Sequence, residues 1–205
     1  MTKIKFCIIL LFITLFCENS YSQFPSYRIY PSSSNQIEPS IVRHPTNQDI
    51  MFASAFTIRL SFKSEGVYIT TNGGQSWSGN DTCTGSPLLN HGGDPGPIID
   101  KDGRLLLTHR GELILGMYSN YSTNLGASWT NNYQIAGDDQ DKGSPATDDV
   151  PSSAFYGRTY LVWTRLTSPF PIAFSYTSNG GVSWSSVSRV NNSQPGHHSL
   201  GPVMA

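Results

Sequence analysis

The sequence predicts an all-β protein assembled from four-stranded antiparallel units, the plan of a β-propeller, and three observations predict it. An eight-residue pattern recurs at residues 70–77, 122–129 and 177–184, ending in Trp77, Trp129 and Trp184, which are 52 and 55 residues apart. A period of roughly 50 residues built from short strands suits a propeller blade. A proline-bearing element beginning at Glu38, Asp94 and Lys142 precedes those tryptophans by 39, 35 and 42 residues. The composition agrees: Gly, Ser, Thr, Asn and Tyr are abundant and charged residues make up only 13% of the chain, as in a turn-rich β protein.

Residues 1–22 read as a signal peptide. Lys3 and Lys5 precede an apolar run over 6–16, and Ser20 and Ser22 supply small residues for cleavage before Gln23. The run falls short of the about 20 residues a membrane span needs. The sequence therefore predicts a secreted or cell-surface protein of bacterial type, with no membrane span. Cleavage would remove Cys7 and Cys17 and leave Cys83 as the only cysteine, so no internal disulfide is expected. A net charge of −1 offers no electrostatic footprint for nucleic acid or an anionic membrane.

Within the mature chain, residues 23–205, each repeat reads in the same order. Blade 1 runs over about 38–84, blade 2 over about 92–137 and blade 3 over about 141–193. A fourth begins at about 198–205. The proline-bearing elements are the innermost strands, because proline is tolerated on a strand edge that no ladder uses. Second strands follow over 50–56, 105–108 and 159–163, and third strands carry Tyr68, Tyr118 and Tyr176. The corner that comes next places Asn72, Asn124 and Asn179 beside Gly74, Gly126 and Gly181. Asn folds back on backbone N–H groups and Gly takes the positive φ of a tight turn. The tryptophan then covers the end of the sheet. About three and a quarter blades are present, and the partners expected to complete a ring of six or more are further C-terminal blades of the same chain.

The three corners resemble the Asp-box, or bacterial neuraminidase (BNR) repeat, of the sialidase-like superfamily, whose form is Ser/Thr-x-Asp-x-Gly-x-Thr-Trp. All three depart from it alike, with Asn at the Asp position and Ser before the tryptophan. The resemblance extends from about Glu38 to Ala205 and implies a structural role for the box. It also implies a secreted protein acting on an extracellular glycan or glycoprotein, possible exo-α-sialidase activity among glycoside hydrolases included. Such enzymes grip a carboxylate with three arginines and attack with a Tyr assisted by a Glu. Tyr27-Arg28-Ile29-Tyr30-Pro31 is similar to the motif bearing the first arginine, which makes Arg28 a catalytic candidate. Its distance to Trp77 does not match the inner-strand register. A xyloglucanase-like hydrolase would instead draw on Asp94.

Glu38, Asp94, Asp141, Lys142 and His198 are expected at the mouth of the central channel, where carboxylates with a Lys and a His suit sugar binding or general acid catalysis. The acidic run at residues 138–141 matches no Ca²⁺ loop, and His197-His198 lacks a third ligand nearby in sequence. No metal or cofactor is expected. Catalysis and a non-catalytic role as a glycan- or protein-binding adhesion module both remain open at this stage.

Overall fold

The computed structural model describes residues 28–59, 62–83, 90–192 and 196–204. The segment read as a signal peptide lies outside them. Twelve strands form, and no helix is present among the described residues. In chain order they are β1 (Asn35–Arg43), β2 (Met51–Arg59), β3 (Phe62–Thr70), β4 (Ser78–Asn80), β5 (Gly96–Ile99), β6 (Leu105–Gly111), β7 (Gly116–Ser122), β8 (Tyr133–Ala136), β9 (Gln140–Thr147), β10 (Thr159–Arg165), β11 (Ile172–Thr177) and β12 (Ser188–Arg189). They pair in sequence order into three antiparallel four-stranded sheets, β1 to β4, β5 to β8 and β9 to β12. The arrangement is propeller-like: the first strands lie side by side, β5 touching both β1 and β9.

Pro39, Pro97 and Pro145 sit on β1, β5 and β9, each of which ladders on one side only, so no hydrogen bond is lost to the missing N–H. Residues 200–204 run past β9, where Gly201 N–H donates to Thr164 Oγ1 and Met204 N–H to Ser144 Oγ.

The corners share one hydrogen-bond pattern. The hydroxyls of Thr70, Ser122 and Thr177 accept the N–H of Gly74, Gly126 and Gly181 at 3.0, 2.9 and 3.0 Å. Asn72, Asn124 and Asn179 accept the N–H of Ser76, Ser128 and Ser183 through Oδ1, at 3.0 Å in each case. Their Nδ2 groups donate to the same serine hydroxyls. Gly126 and Gly181 have φ of 82° and 85°, open to glycine without strain.

These corners also join the sheets. A Cβ on Gly126 would meet Ile69 of the first sheet, and one on Gly181 would meet Leu106 of the second. Trp129 stacks against Phe52 with ring centroids 5.7 Å apart, closing a core of Phe52, Val67, Ile69, Ile99, Leu105 and Leu107 between the first and second sheets. Trp184 does the same one sheet later, against the core containing Met117, Ile135, Leu161 and Trp163, and its Nε1 donates to Ser119 Oγ. Trp77 packs on its own sheet, on the face with Ala53, Ala55, Tyr68 and Tyr30. The outer face of the third sheet presents Tyr160, Phe174 and Tyr176, half-buried.

Candidate functional site

The site grows from one backbone feature repeated around the inner strands. Glu38, Asp94 and Lys142 take the left-handed conformation, with φ of 53°, 57° and 52°. Gly201, the next equivalent position, has φ of 63°. Left-handed backbone costs a non-glycine residue about 1–2 kcal/mol, and such strain collects where the surroundings fix a functional geometry. The ladder of β1 breaks between Ile37 and Ser40, and that of β10 with β9 breaks between Val162 and Thr164. A bulge of this kind re-aims side chains out of the sheet. Here Glu38, Asp94 and Lys142 turn into a shared cavity of about 410 Å³, walled also by Pro39, Pro95, Ser144 and Pro202.

The three residues are linked head to tail. Glu38 Oε2 accepts the Asp94 N–H at 2.9 Å, and Asp94 Oδ2 accepts the Lys142 N–H at 3.1 Å. Lys142 Nζ returns to Asp94 Oδ1 at 2.7 Å and lies 3.9 Å from Glu38 Oε1. The bond to Asp94 holds the Lys142 ammonium above its ordinary pKa, with burial opposing. Arg110, on β6, stands beside them, 3.9 Å from Asp94 and 3.2 Å from both Asp139 and Asp141. Burial, then the charge of Asp94, raises the Asp141 carboxyl, and Arg110 offsets part of the rise. Exposure separates the two mouth carboxylates: the Asp94 side chain is 6% exposed and that of Glu38 39%.

Other sequence candidates fall elsewhere. His198 stacks on Phe170 at 4.1 Å and does not line the cavity; Gly201 occupies the inner-strand position instead. Arg28 is exposed and is not a wall residue. The acidic run around 138–141 leads into β9, where Asp138 pairs with Arg165 at 2.6 Å and Asp139 and Asp141 pair with Arg110.

Behind the mouth lies a buried trio that sequence reasoning missed. Glu65 on β3, His91 on the loop before β5 and His109 on β6 are each at most 2% exposed, and their ligand-type atoms all lie within 4.8 Å of one another. The imidazoles stack at 4.0 Å with planes 11° apart. His91 Nδ1 accepts the Glu65 N–H at 3.2 Å, while His109 Nδ1 lies 2.9 Å from Arg110 O and its Nε2 2.9 Å from Asn132 Oδ1. Burial holds both histidines below their ordinary pKa, most strongly His91, where His109 adds to the effect. Burial, then the charges of Glu38 and Asp94, pushes Glu65 well up. The nearby Gly93 amide opposes that rise, although neither Glu65 oxygen has a hydrogen-bond partner of normal geometry among the described residues. The trio is scattered over residues 65, 91 and 109, so no ligand spacing marks it.

No protein-family model matches the sequence, and no curated protein matches it. Solved structures do. A Dyadobacter fermentans protein of unknown function superposes with a TM-score of 0.55 at 14% identity, covering 74% of this chain and 54% of that one. An exo-β-1,3-galactanase from Clostridium thermocellum gives 0.52 at 14% identity, over 78% of this chain and 36% of that one. An endo-arabinase from Bacteroides thetaiotaomicron gives 0.47 at 13% identity, over 75% and 61%. At these identities the first two likenesses show the all-β fold, and the chain spans about half the length of the first. No helix among the described residues is long and apolar enough to cross a membrane.

Proposed function

We propose that this chain belongs to an exported propeller that acts on extracellular glycans, with the cavity at Glu38, Asp94 and Lys142 as its sugar site. The observation that carries the reading is the repeated strain: charged residues stand left-handed at the same place on three consecutive inner strands and face one cavity. Sugars are bound by such mixed acceptor and donor groups in a concave site. Export rests on residues 1–22, and the aromatic face of the third sheet suits further sheets that close a ring. That a galactanase shares the fold is in keeping with a glycan ligand.

In this reading Asp94, fixed by two bonds from Lys142, orients the site, and the more exposed Glu38 is the carboxyl open to a glycosidic oxygen as general acid. The exo-sialidase form of the reading further requires guanidinium groups open to a substrate carboxylate. Arg110, beside the cavity, is already engaged by three carboxylates, so that form depends on other arginines, Arg28 being the motif's candidate. A second reading, a non-catalytic glycan-binding module, is favoured by the same Lys142, which neutralises the pair it bridges. Glu38→Gln keeps the acceptor for the Asp94 N–H and removes the acid. Sugar release from neutral and sialylated glycans that falls about 100-fold or more in this variant supports hydrolysis. Binding without release, weakened in Lys142→Met, supports the module. Neither binding nor release by the wild type refutes the assignment of the cavity.

A further inference from the structure

We propose that Glu65, His91 and His109 form a binding site for one divalent transition-metal ion, zinc by chemical class, between the first and second sheets. Glu65 is fully buried with both oxygens unpartnered among the described residues, and a carboxyl orphaned in this way calls for an ion or water. Ionised and alone, it would carry a desolvation penalty of several kcal/mol. A divalent ion satisfies both oxygens and the charge at once.

The donor set selects the ion. Two imidazoles and one carboxylate suit zinc and its neighbours, whereas calcium and magnesium want oxygen ligands throughout. His109 Nδ1 lies against the Arg110 carbonyl, the outer contact that typically fixes a ligating imidazole, and its Nε2, 2.9 Å from Asn132 Oδ1, would exchange that contact for the metal. Parallel stacked rings aim their lone pairs side by side, so one ring must turn. His91, outside the named strands and tied to β6 by a single bridge to Gly111, is the one that would turn, releasing the Glu65 N–H that its Nδ1 accepts. Ligand atoms about 2.1 Å from a tetrahedral zinc are about 3.4 Å apart, a contraction of about 1.4 Å or less from the present spread.

The bound ion would clamp β3 to β6 directly behind the mouth, since Glu65 feels the charges of Glu38 and Asp94. The proposal is independent of the glycan reading. Its test is equilibrium dialysis of the whole chain, stripped with chelator, against zinc, with metal counted after removal of free ion. One equivalent is expected in the wild type and in the His197→Gln/His198→Gln double variant, which removes the exposed histidine pair. Affinity should fall about 100-fold or more in Glu65→Gln and in His109→Gln. No retained zinc in the wild type, or unchanged affinity in Glu65→Gln, overturns the site. Should those variants fail to fold, cobalt added to the wild type decides. The intense visible absorption of four-coordinate cobalt, displaced by zinc, supports the site, and its absence overturns it.

Discussion

Trp77 and Trp129 occupy the same position of the same motif, yet removing them should have unequal costs. Trp129 is 7% exposed and lies in the core between two sheets, against Phe52. A tryptophan buries roughly 150–250 Å², which at about 25 cal/mol per Å² is worth about 4–6 kcal/mol. Trp129→Ala keeps the Cβ but leaves a cavity among Phe52, Ile69 and Leu105 that strands from two sheets cannot easily fill, so the expected loss is about 3–5 kcal/mol. Trp77 rests on the outer face of its own sheet and is only half-buried. Its loss should cost about 2–3 kcal/mol by the same area argument. Urea unfolding followed by far-ultraviolet circular dichroism reads both without relying on tryptophan emission. Equal midpoint shifts for Trp77→Ala and Trp129→Ala would refute the claim that the corner tryptophan stabilises chiefly by reaching the neighbouring sheet.

Other outcomes follow from the same contacts. Asn124→Asp keeps the acceptor for the Ser128 N–H and should change stability by less than about 0.5 kcal/mol, whereas Asn124→Ala leaves that exposed amide to water and should cost about 1 kcal/mol in the same unfolding assay. Gly181→Ala puts a Cβ 2.3 Å from Leu106 at positive φ, while Gly196→Ala meets nothing within 4 Å. Thermal melts should show the first losing at least about 2 kcal/mol and the second about 1 kcal/mol, the cost of φ alone. Burial works to raise Asp81, but bonds from Ser32, Tyr68, Gln36 and Arg59 leave it lowered overall. Its contribution is thus present above the ordinary carboxylate pKa and lost as pH falls through the lowered value. Asp81→Asn should flatten the acid limb of a stability–pH profile; an unchanged limb counts against the network. Burial first, and then Asp81, pushes Tyr68 up to about 12, so stability from this group is complete below pH 10 and lost as pH rises through about 12. Ultraviolet titration of the phenolate reads that midpoint directly.

What the sequence made legible was local. The corners could be read because Asn, Gly and Ser act on each other within five residues, and the sheets because each strand pairs with the next. The inner-strand positions Glu38, Asp94 and Lys142 were legible for a related reason, a register counted back from a tryptophan. No tryptophan follows Trp184 to count back from: His198 was the expected mouth residue, and Gly201 stands at the equivalent place. The left-handed turn at the mouth could not be foreseen at Glu38 or Lys142, because neither residue type favours it; the contacts with neighbouring strands impose it. Arg110 and the trio of Glu65, His91 and His109 were invisible for a different reason. They meet only when two sheets pack, and pairing across sheets leaves no spacing along the chain.

Trp129 and Trp184 each close a core that belongs half to the sheet before it. The dependence runs both ways along the chain. Peel off the third sheet and Met117 and Ile135 lose the cover of Trp184, so the second is weakened in turn; fray the first and Trp129 loses its floor at Phe52. Damage at any seam therefore spreads, and a protease that nicks one loop should release the protein in whole-sheet steps, with few intermediates cut inside a sheet.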